Sequence, residues 1–250
     1  MEDGILVRHR EGGDAHDHIE VWDKYIDHIK TVNRFFPSSD LSYEMLNPFG
    51  EVIVQNSRSV EVGALLYRGR LTQDPAILDP TAMGKPPSEL ARGGRGNPTG
   101  ISHLYLSFDR ETCVAECRVG MNEYVSVARF DVSKTFKTLD LQSIDSINPF
   151  VGSSENNILS YLRARSVLLR LRDEISAPAR STDSQLDYIS TQFLCEYVKS
   201  LGISGVIFPS TLRVGGVNLV LFDDSYVECS LNIESYQVHE YQFEIRQSVN

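Results

Sequence analysis

Ile101–Cys117, ISHLYLSFDRETCVAEC, runs a strand into a helix with a single hinge at Asp109. Over Ser102–Phe108 the side chains alternate. Leu104, Leu106 and Phe108 point one way, and His103, Tyr105 and Ser107 the other. The apolar set faces the core, so Tyr105 stands on the opposite face. Asp109 is a helix-capping residue type, and the helix it starts runs to about Cys117. Glu116 then sits two turns in, beside the small residues Cys113 and Ala115. A carboxylate among apolar neighbours near a strand end builds one wall of a charged cleft; the plainer reading of the same residue is an exposed helix glutamate.

Working outward, alternation predicts strands at Gly63–Arg70, Glu123–Val132, Gly205–Phe208 and Asn218–Phe222, and a short strand at Glu51–Gln55. The tail from Ser235 to Ile245 alternates Tyr236/Val238 with Tyr241/Phe243/Ile245, which reads as a final strand or hairpin. Helical spacing of Ile19, Trp22, Tyr25, Ile26, Ile29, Val32, Phe35 and Phe36 predicts an amphipathic helix over Asp17–Phe36. Asn157–Arg172 and Tyr188–Leu201 read as helices too, the second ended by Gly202. The Gly/Pro-rich segment Pro75–Gly100 reads as loop. Strands and helices do not alternate regularly, so the pattern favours α+β: a mixed or antiparallel β-core with flanking helices. The expected division is an N-terminal extension over 1–60, a main domain over 61–225, and a strand or hairpin over 226–250 packed on it.

Composition narrows the function. The chain has 250 residues, 41% hydrophobic and 23% charged, enough for one sizeable core. A formal net charge of −10 argues against a general polyanion binder such as a nucleic-acid protein. It leaves room for a small anionic ligand held by locally concentrated arginines. No apolar run approaches the roughly 20 residues of a membrane span, and Met1–Gly13 lacks the character of a signal peptide. Four cysteines fall short of a disulfide scaffold, which fits reduced thiols in the cytoplasm. Cys113 and Cys117, four apart on one helical face, read as small buried core thiols. His16-Asp17-His18 precedes a helix near the terminus and reads as solvated, so no metal site is expected.

Beyond the opening stretch, three segments carry chemistry-bearing residues: Tyr67-Arg68-Gly69-Arg70, the loop Gly93-Gly94-Arg95-Gly96-Asn97-Pro98-Thr99-Gly100, and Phe208-Pro209-Ser210 leading to Gly215–Leu219. In the loop, glycines permit close backbone approach and Arg95 presents a planar fork suited to phosphate. A flexible surface loop with a solvated arginine fits the same residues. No lysine follows as in a phosphate-binding P-loop, and no GxGxxG opens a helix.

Taken together, these segments resemble the RES-domain family, named for an arginine, a glutamate and a serine. The resemblance runs over about residues 64–223: Arg68 on a strand, Arg95-Gly96-Asn97-Pro98-Thr99-Gly100, Leu104-Tyr105, Thr112 to Glu116, Tyr188-x-x-Thr191-Gln192, Phe208-Pro209-Ser210, and Asn218 onward. Three positions depart from the usual pattern: Cys113 where alanine is common, Gly96 where tryptophan is common, and Val119 in place of a proline.

The resemblance implies an ADP-ribosyltransferase-like fold and an enzyme that degrades NAD⁺ at its nicotinamide–ribose bond, by hydrolysis or phosphorolysis. NAD⁺ is then substrate, and no cofactor is needed. It implies Glu116 facing the oxocarbenium-like ribose, Arg68 and Arg95 holding phosphate or ribose oxygens, and Tyr105 stacking on nicotinamide. Ser210 would hydrogen bond nicotinamide or ribose, with Asn97 and Asn218 in secondary roles. It also implies a bacterial toxin or defence effector, with an Xre-type antitoxin as partner, and leaves homo-oligomerisation open. A protein ADP-ribosyltransferase on the same site, or a non-catalytic interaction module, are the competing readings.

Overall fold

The computed structural model describes residues 14–37, 46, 49–73, 75, 78–146, 155–178 and 182–239. Among the described residues, eight strands form one sheet in the order β1-β5-β6-β7-β3-β2-β4-β8. These are β1 (Ser57–Val60), β2 (Leu65–Thr72), β3 (Leu104–Ser107), β4 (Tyr124–Val132), β5 (Phe136–Asp140), β6 (Gly205–Pro209), β7 (Val217–Leu221) and β8 (Val227–Gln237). Only β5 and β6 pair in parallel; the other neighbours are antiparallel. The helices are α1 (Asp14–Thr31), α2 (residues 49–55), α3 (Arg110–Glu116), α4 (Glu155–Ser176) and α5 (Ile189–Ser200). The architecture is α+β with a mixed, mostly antiparallel core and flanking helices.

Alternation along the strands sorts the core into two faces. On one face, Leu66, Leu104, Leu106, Phe130, Ile207, Leu219 and Leu221 pack together around the buried Met83. On the other, Leu139, Val206, Phe208 and Val220 meet α1, α2, α4 and α5, while Val125 and Val127 meet α3 through Cys113. Two groups of helices therefore cover one face of the sheet. Between them lies β3, whose Tyr105 pairs with Val220 of the α4/α5 side and whose Ser107 pairs with Tyr67 of the α3 side. The N-terminal helix is part of the main core: Trp22 and Tyr25 are buried, and Trp22 stacks on Phe49.

The structure corrects several sequence expectations. Helix α1 stops at Thr31, and Val32, Phe35 and Phe36 stand in solvent, because Val32 and Asn33 both turn back to the His28 carbonyl. Residues 51–55 are helical rather than extended. Their β-branched residues suggest a strand, but buried Phe49, Val52 and Ile53 follow i, i+3, i+4 spacing and lie on one helical face. Strand β5 is an additional element: Phe136, Thr138, Leu139 and Asp140 are all buried, so it lacks the alternation that marks a one-sided strand. The last strand begins at Val227 instead of Ser235. Between the Ala128↔Ile233 and Phe130↔Cys229 pairs, β8 carries two more residues than its partner, and this bulge leaves Leu231 exposed and masks the period. The expected alternation over 240–245 lies outside the described residues.

Candidate functional site

Strands β2 and β3 share a single pair, Tyr67↔Ser107, whereas β2 pairs with β4 along its whole length. Past that pair the sheet opens. A cleft of about 260 Å³ occupies the opening, lined by β2 (Tyr67, Arg68, Gly69), β3 (Tyr105, Ser107), α3 (Cys113, Glu116, Cys117), and Phe208 and Asn218. By alternation Arg68 shares the Leu66 face of β2, so its side chain reaches the cleft through the gap.

Helix α3 brings Glu116 to the rim. Asp109 caps it, accepting from the Thr112 N–H at 2.8 Å and the Thr112 hydroxyl at 2.7 Å. Arg213 donates to the same Asp109 at 2.7 Å and to the Thr112 hydroxyl at 3.2 Å, tying α3 to the segment after Ser210. Gly69 lets the helix lie close to β2: a Cβ there would collide with Cys117 Sγ and meet Cys113 Sγ at 3.2 Å.

The Glu116 carboxylate is oriented by two donors on one oxygen. Ser210 Oγ and Asn218 Nδ2 each donate to Oε1 at 2.7 Å. Ser107 Oγ in turn donates to Asn218 Oδ1 at 2.8 Å, which fixes the Asn218 amide with its nitrogen toward Glu116. Ser210 Oγ accepts from the Leu212 and Arg213 N–H groups at 3.2 Å, so its proton is committed to Glu116. Among the described residues nothing donates to Oε2. Opposite stands Arg68, whose Nη1 is buried with no hydrogen-bond partner among the described residues. Burial, and then the neighbouring Arg70 charge, push its guanidinium down to about 10, still cationic at neutral pH.

The ring of Tyr105, 37% exposed, is one of three aromatic rings lining the cleft among the described residues, with Tyr67 and Phe208. Its hydroxyl is fixed by donating to Asn97 Oδ1 at 2.7 Å and accepting from the Gly96 N–H at 3.0 Å. Burial pushes this hydroxyl's pKa well above the usual tyrosine range, so it stays protonated. The glycine-rich loop is thereby a brace behind Tyr105. Asn97 donates to the Arg92, Pro98 and Ile101 carbonyls, and Gln192 donates to those of Gly94 and Asn97. The His103 ring bonds the Gly96 carbonyl at 2.8 Å, and burial pushes it down to about 4, so it is neutral and donates through Nδ1.

Of the expected site residues, the structure brings Glu116, Arg68, Tyr105, Ser210 and Asn218 together around the cleft. Arg95 and Asn97 are not brought to it. Arg95, expected at a ligand phosphate, donates instead to the Glu174 carbonyl (2.8 Å), the Pro178 carbonyl (3.1 Å) and Asp183 (3.0 Å). It also lies over the Tyr188 ring, 4.8 Å from its centroid. Its nearest acceptors come from far along the chain, so sequence spacing gives no sign of them. Four residues had no expected role: Tyr67 on the wall, Ser107 behind Asn218, Gln192 on the loop, and Arg213 on the cap. Arg213 carried a readable signal, three residues after Ser210 in a turn the serine hydroxyl closes.

A family model described as RES domain matches residues 66–244. No curated protein matches the chain. Among solved structures, a chain of the crystal structure of the M. tuberculosis MbcT–MbcA toxin–antitoxin complex is similar at 16% identity, with a TM-score of 0.42. That alignment covers 76% of this chain and 92% of the other.

Proposed function

We infer that this chain, which belongs to the RES-domain family, is an enzyme that breaks the nicotinamide–ribose bond of NAD⁺. The observation that carries the reading is the Glu116 carboxylate. It is held through one oxygen by Ser210 and Asn218 and faces a cleft that also holds half-buried Arg68, whose buried Nη1 has no partner among the described residues, and an open tyrosine ring.

The chemistry suits such a site. Nicotinamide leaves NAD⁺ neutral and needs no proton, and positive charge gathers on the ribose C1′ and O4′ as the bond lengthens. A preoriented carboxylate stabilises that charge as it develops. Glu116 Oε2, free among the described residues, accepts a ribose hydroxyl or faces the cation, while the two donors on Oε1 keep it from turning. Arg68 takes ribose or phosphate oxygens of the substrate, which supplies the partner its Nη1 lacks. The Tyr105 ring stacks on nicotinamide, and its bonded hydroxyl prevents it from swinging away. Ser210 acts as an orienting group, since its proton is already given to Glu116. Arg95 and Asn97 act through the brace behind Tyr105. The cleft is smaller than the roughly 300–1,000 Å³ that enclose drug-sized ligands, so it receives the nicotinamide riboside end and leaves the adenylate outside.

Purified protein should release nicotinamide from NAD⁺, and Glu116→Ala should lose that activity while remaining folded. Free ADP-ribose without phosphate marks hydrolysis, and ADP-ribose 1″-phosphate in phosphate buffer marks phosphorolysis. No nicotinamide under either condition overturns the reading. A toxin or defence role, exercised in the cytoplasm and held in check by an antitoxin, is the biological setting this activity fits. Growth arrest on expression, relieved by Glu116→Ala, tests it.

A further inference from the structure

We propose that Cys113 and Cys117 are a reversible oxidation site in the cleft, closed to a disulfide by a two-electron peroxide. The resemblance puts alanine at the position of Cys113, so the dithiol belongs to this chain rather than to the activity. Both side chains line the cleft beside Glu116, both are free thiols, and both crowd the same point over Gly69.

Reactive thiols sit in partly exposed, electropositive surroundings. Cys113 is buried, and Cys117 is half-buried at the mouth of the helix end. The guanidinium of Arg68, with no ion pair among the described residues, lies close enough to act on both sulfurs. The Cys113 thiol holds the Cys117 pKa down against burial and the neighbouring Glu116 charge, with Arg68 adding to the lowering, while that same contact and then burial keep Cys113 protonated. The pair is thus divided into an attacking sulfur and a resolving one.

The electrons balance within the dithiol and the peroxide. Cys117 sulfur attacks one peroxide oxygen, the O–O bond breaks, and the departing hydroxide takes a proton to leave as water. Cys113 then gives up its proton and attacks the Cys117 sulfenic acid. The S–O bond breaks, a second water leaves, and the S–S bond forms. The sulfurs lose two electrons and the peroxide gains them.

Geometry permits the closure. Residues four apart on a helix have Cα atoms about 6 Å apart, inside the roughly 4.4–6.8 Å that disulfides span, but their Cβ atoms, about 5–6 Å apart, must close to about 4 Å, so the bridge requires the backbone to move at the helix end. Cys117 keeps helical backbone angles and its N–H bonds the Cys113 carbonyl at 3.3 Å, but Arg118 at φ 49° ends the helix directly after it, so the last turn can yield to the bridge. The bridge moves the residue next to Glu116 and pulls its carboxylate off Ser210 and Asn218.

The test starts from the reduced full chain, treated with hydrogen peroxide, alkylated after unfolding, and mapped by mass spectrometry. The expected result is loss of two hydrogens and of both alkylation sites on the 113–117 peptide, reversed by dithiothreitol, with Cys195 and Cys229 still alkylated. In Cys113→Ala, checked for an unchanged melting temperature, Cys117 should instead gain oxygens that dithiothreitol does not fully remove. Equal oxidation of all four cysteines, or over-oxidation of Cys117 in the wild type with Cys113 still free, overturns the proposal. The activity arm rests on the proposed function: nicotinamide release should fall roughly 10²-fold on oxidation, as for a catalytic group displaced by about 1 Å, and return with dithiothreitol. Disulfide formation with release unchanged overturns the link to the cleft. Reduced protein releasing no nicotinamide counts against the proposed function alone, because the mass readout decides the oxidation independently.

Discussion

Arg68 lines the cleft with Tyr105, Arg95 belongs to the loop that bonds the Tyr105 hydroxyl, and the surroundings of the two arginines differ. Around Arg95 the two terminal nitrogens meet two backbone carbonyls and Asp183, with the Tyr188 ring below. Neighbouring Asn97, Gln192 and His103 are bonded to the loop in the same dense way. Around Arg68 there is burial without a hydrogen bond or ion pair among the described residues, and across from it Glu116 keeps one oxygen free. Native proteins pair their buried polar groups. Arg95 Nε and His103 Nε2 are also buried without a partner among the described residues, yet each side chain is anchored through its other nitrogens, whereas no nitrogen of Arg68 is bonded; a cation and a carboxylate oxygen left uncommitted at one cleft suit something that arrives. The loop is the frame, and the gap between β2 and β3 is the site we propose.

The largest effect should come from the site. Glu116→Gln keeps an acceptor for Ser210 and Asn218 but removes the charge, and kcat for nicotinamide release should fall roughly 10²–10³-fold. Its melting temperature should stay at the wild-type value, because the carboxylate is exposed and its two hydrogen bonds persist. A variant that melts much lower would place Glu116 in the frame and erase the distinction. The frame gives the converse. Arg95→Met removes the ion pair to the largely buried Asp183 together with the hydrogen bonds to the Glu174 and Pro178 carbonyls, and breaking such a cluster costs about 3 kcal/mol of stability. Denaturant unfolding measures it. Activity should fall only as far as Tyr105 loses its support, and near-complete loss of turnover in a variant of wild-type stability would put Arg95 at the substrate after all.

That distinction could not be read from the sequence. Arg68 and Arg95 both stand beside glycines in segments that invite a ligand, and one-dimensional spacing treats them alike. What separates them is whether acceptors fold onto them, and Glu174, Pro178 and Asp183 arrive from a helix end far along the chain. The opening stretch was legible because local physics decides it: β3 alternates, Asp109 caps, and Glu116 follows two turns on. Ser210 and Asn218 were legible as residues but not as two donors on one oxygen. Strand β5 was hidden because parallel pairing with β6 and burial on both faces remove the period that a reader looks for. Residues 51–55 read as a strand because their β-branched composition masks the helical spacing of Phe49, Val52 and Ile53.

A smaller effect belongs to the frame through pH. His103 is held neutral down to about pH 4 by burial, with the Lys199 and Lys85 charges adding, whereas an unfolded histidine titrates near 6.5. Between those values the unfolded chain binds the extra proton, so stability should fall as pH drops from about 6.5 to about 4 and level off below. The contribution is roughly 1–3 kcal/mol. Chemical unfolding of wild type and His103→Asn across that window isolates it, since carboxylates common to both cancel in the difference. Identical pH slopes would mean the buried ring is charged or reachable by water.

The smallest effect, and the one that separates the two arginines most sharply, is the sign at Arg68. A bonded buried cation stabilises the fold it sits in, whereas an unbonded one carries its desolvation as a standing cost, typically about 1–3 kcal/mol for an unsatisfied buried donor. Arg68→Met keeps the apolar stem and removes the charge, so stability should hold or rise by about 1 kcal/mol. The same substitution removes the cation proposed for ribose or phosphate oxygens, and KM for NAD⁺ should rise about tenfold, which corresponds to about 1.4 kcal/mol of binding. Arg95→Met loses stability, so the two substitutions should move the melting temperature in opposite directions. If Arg68→Met instead destabilised the chain as Arg95→Met does, its guanidinium would be bonded in the folded protein, and the case for a ligand-binding cation in the gap would fall with it.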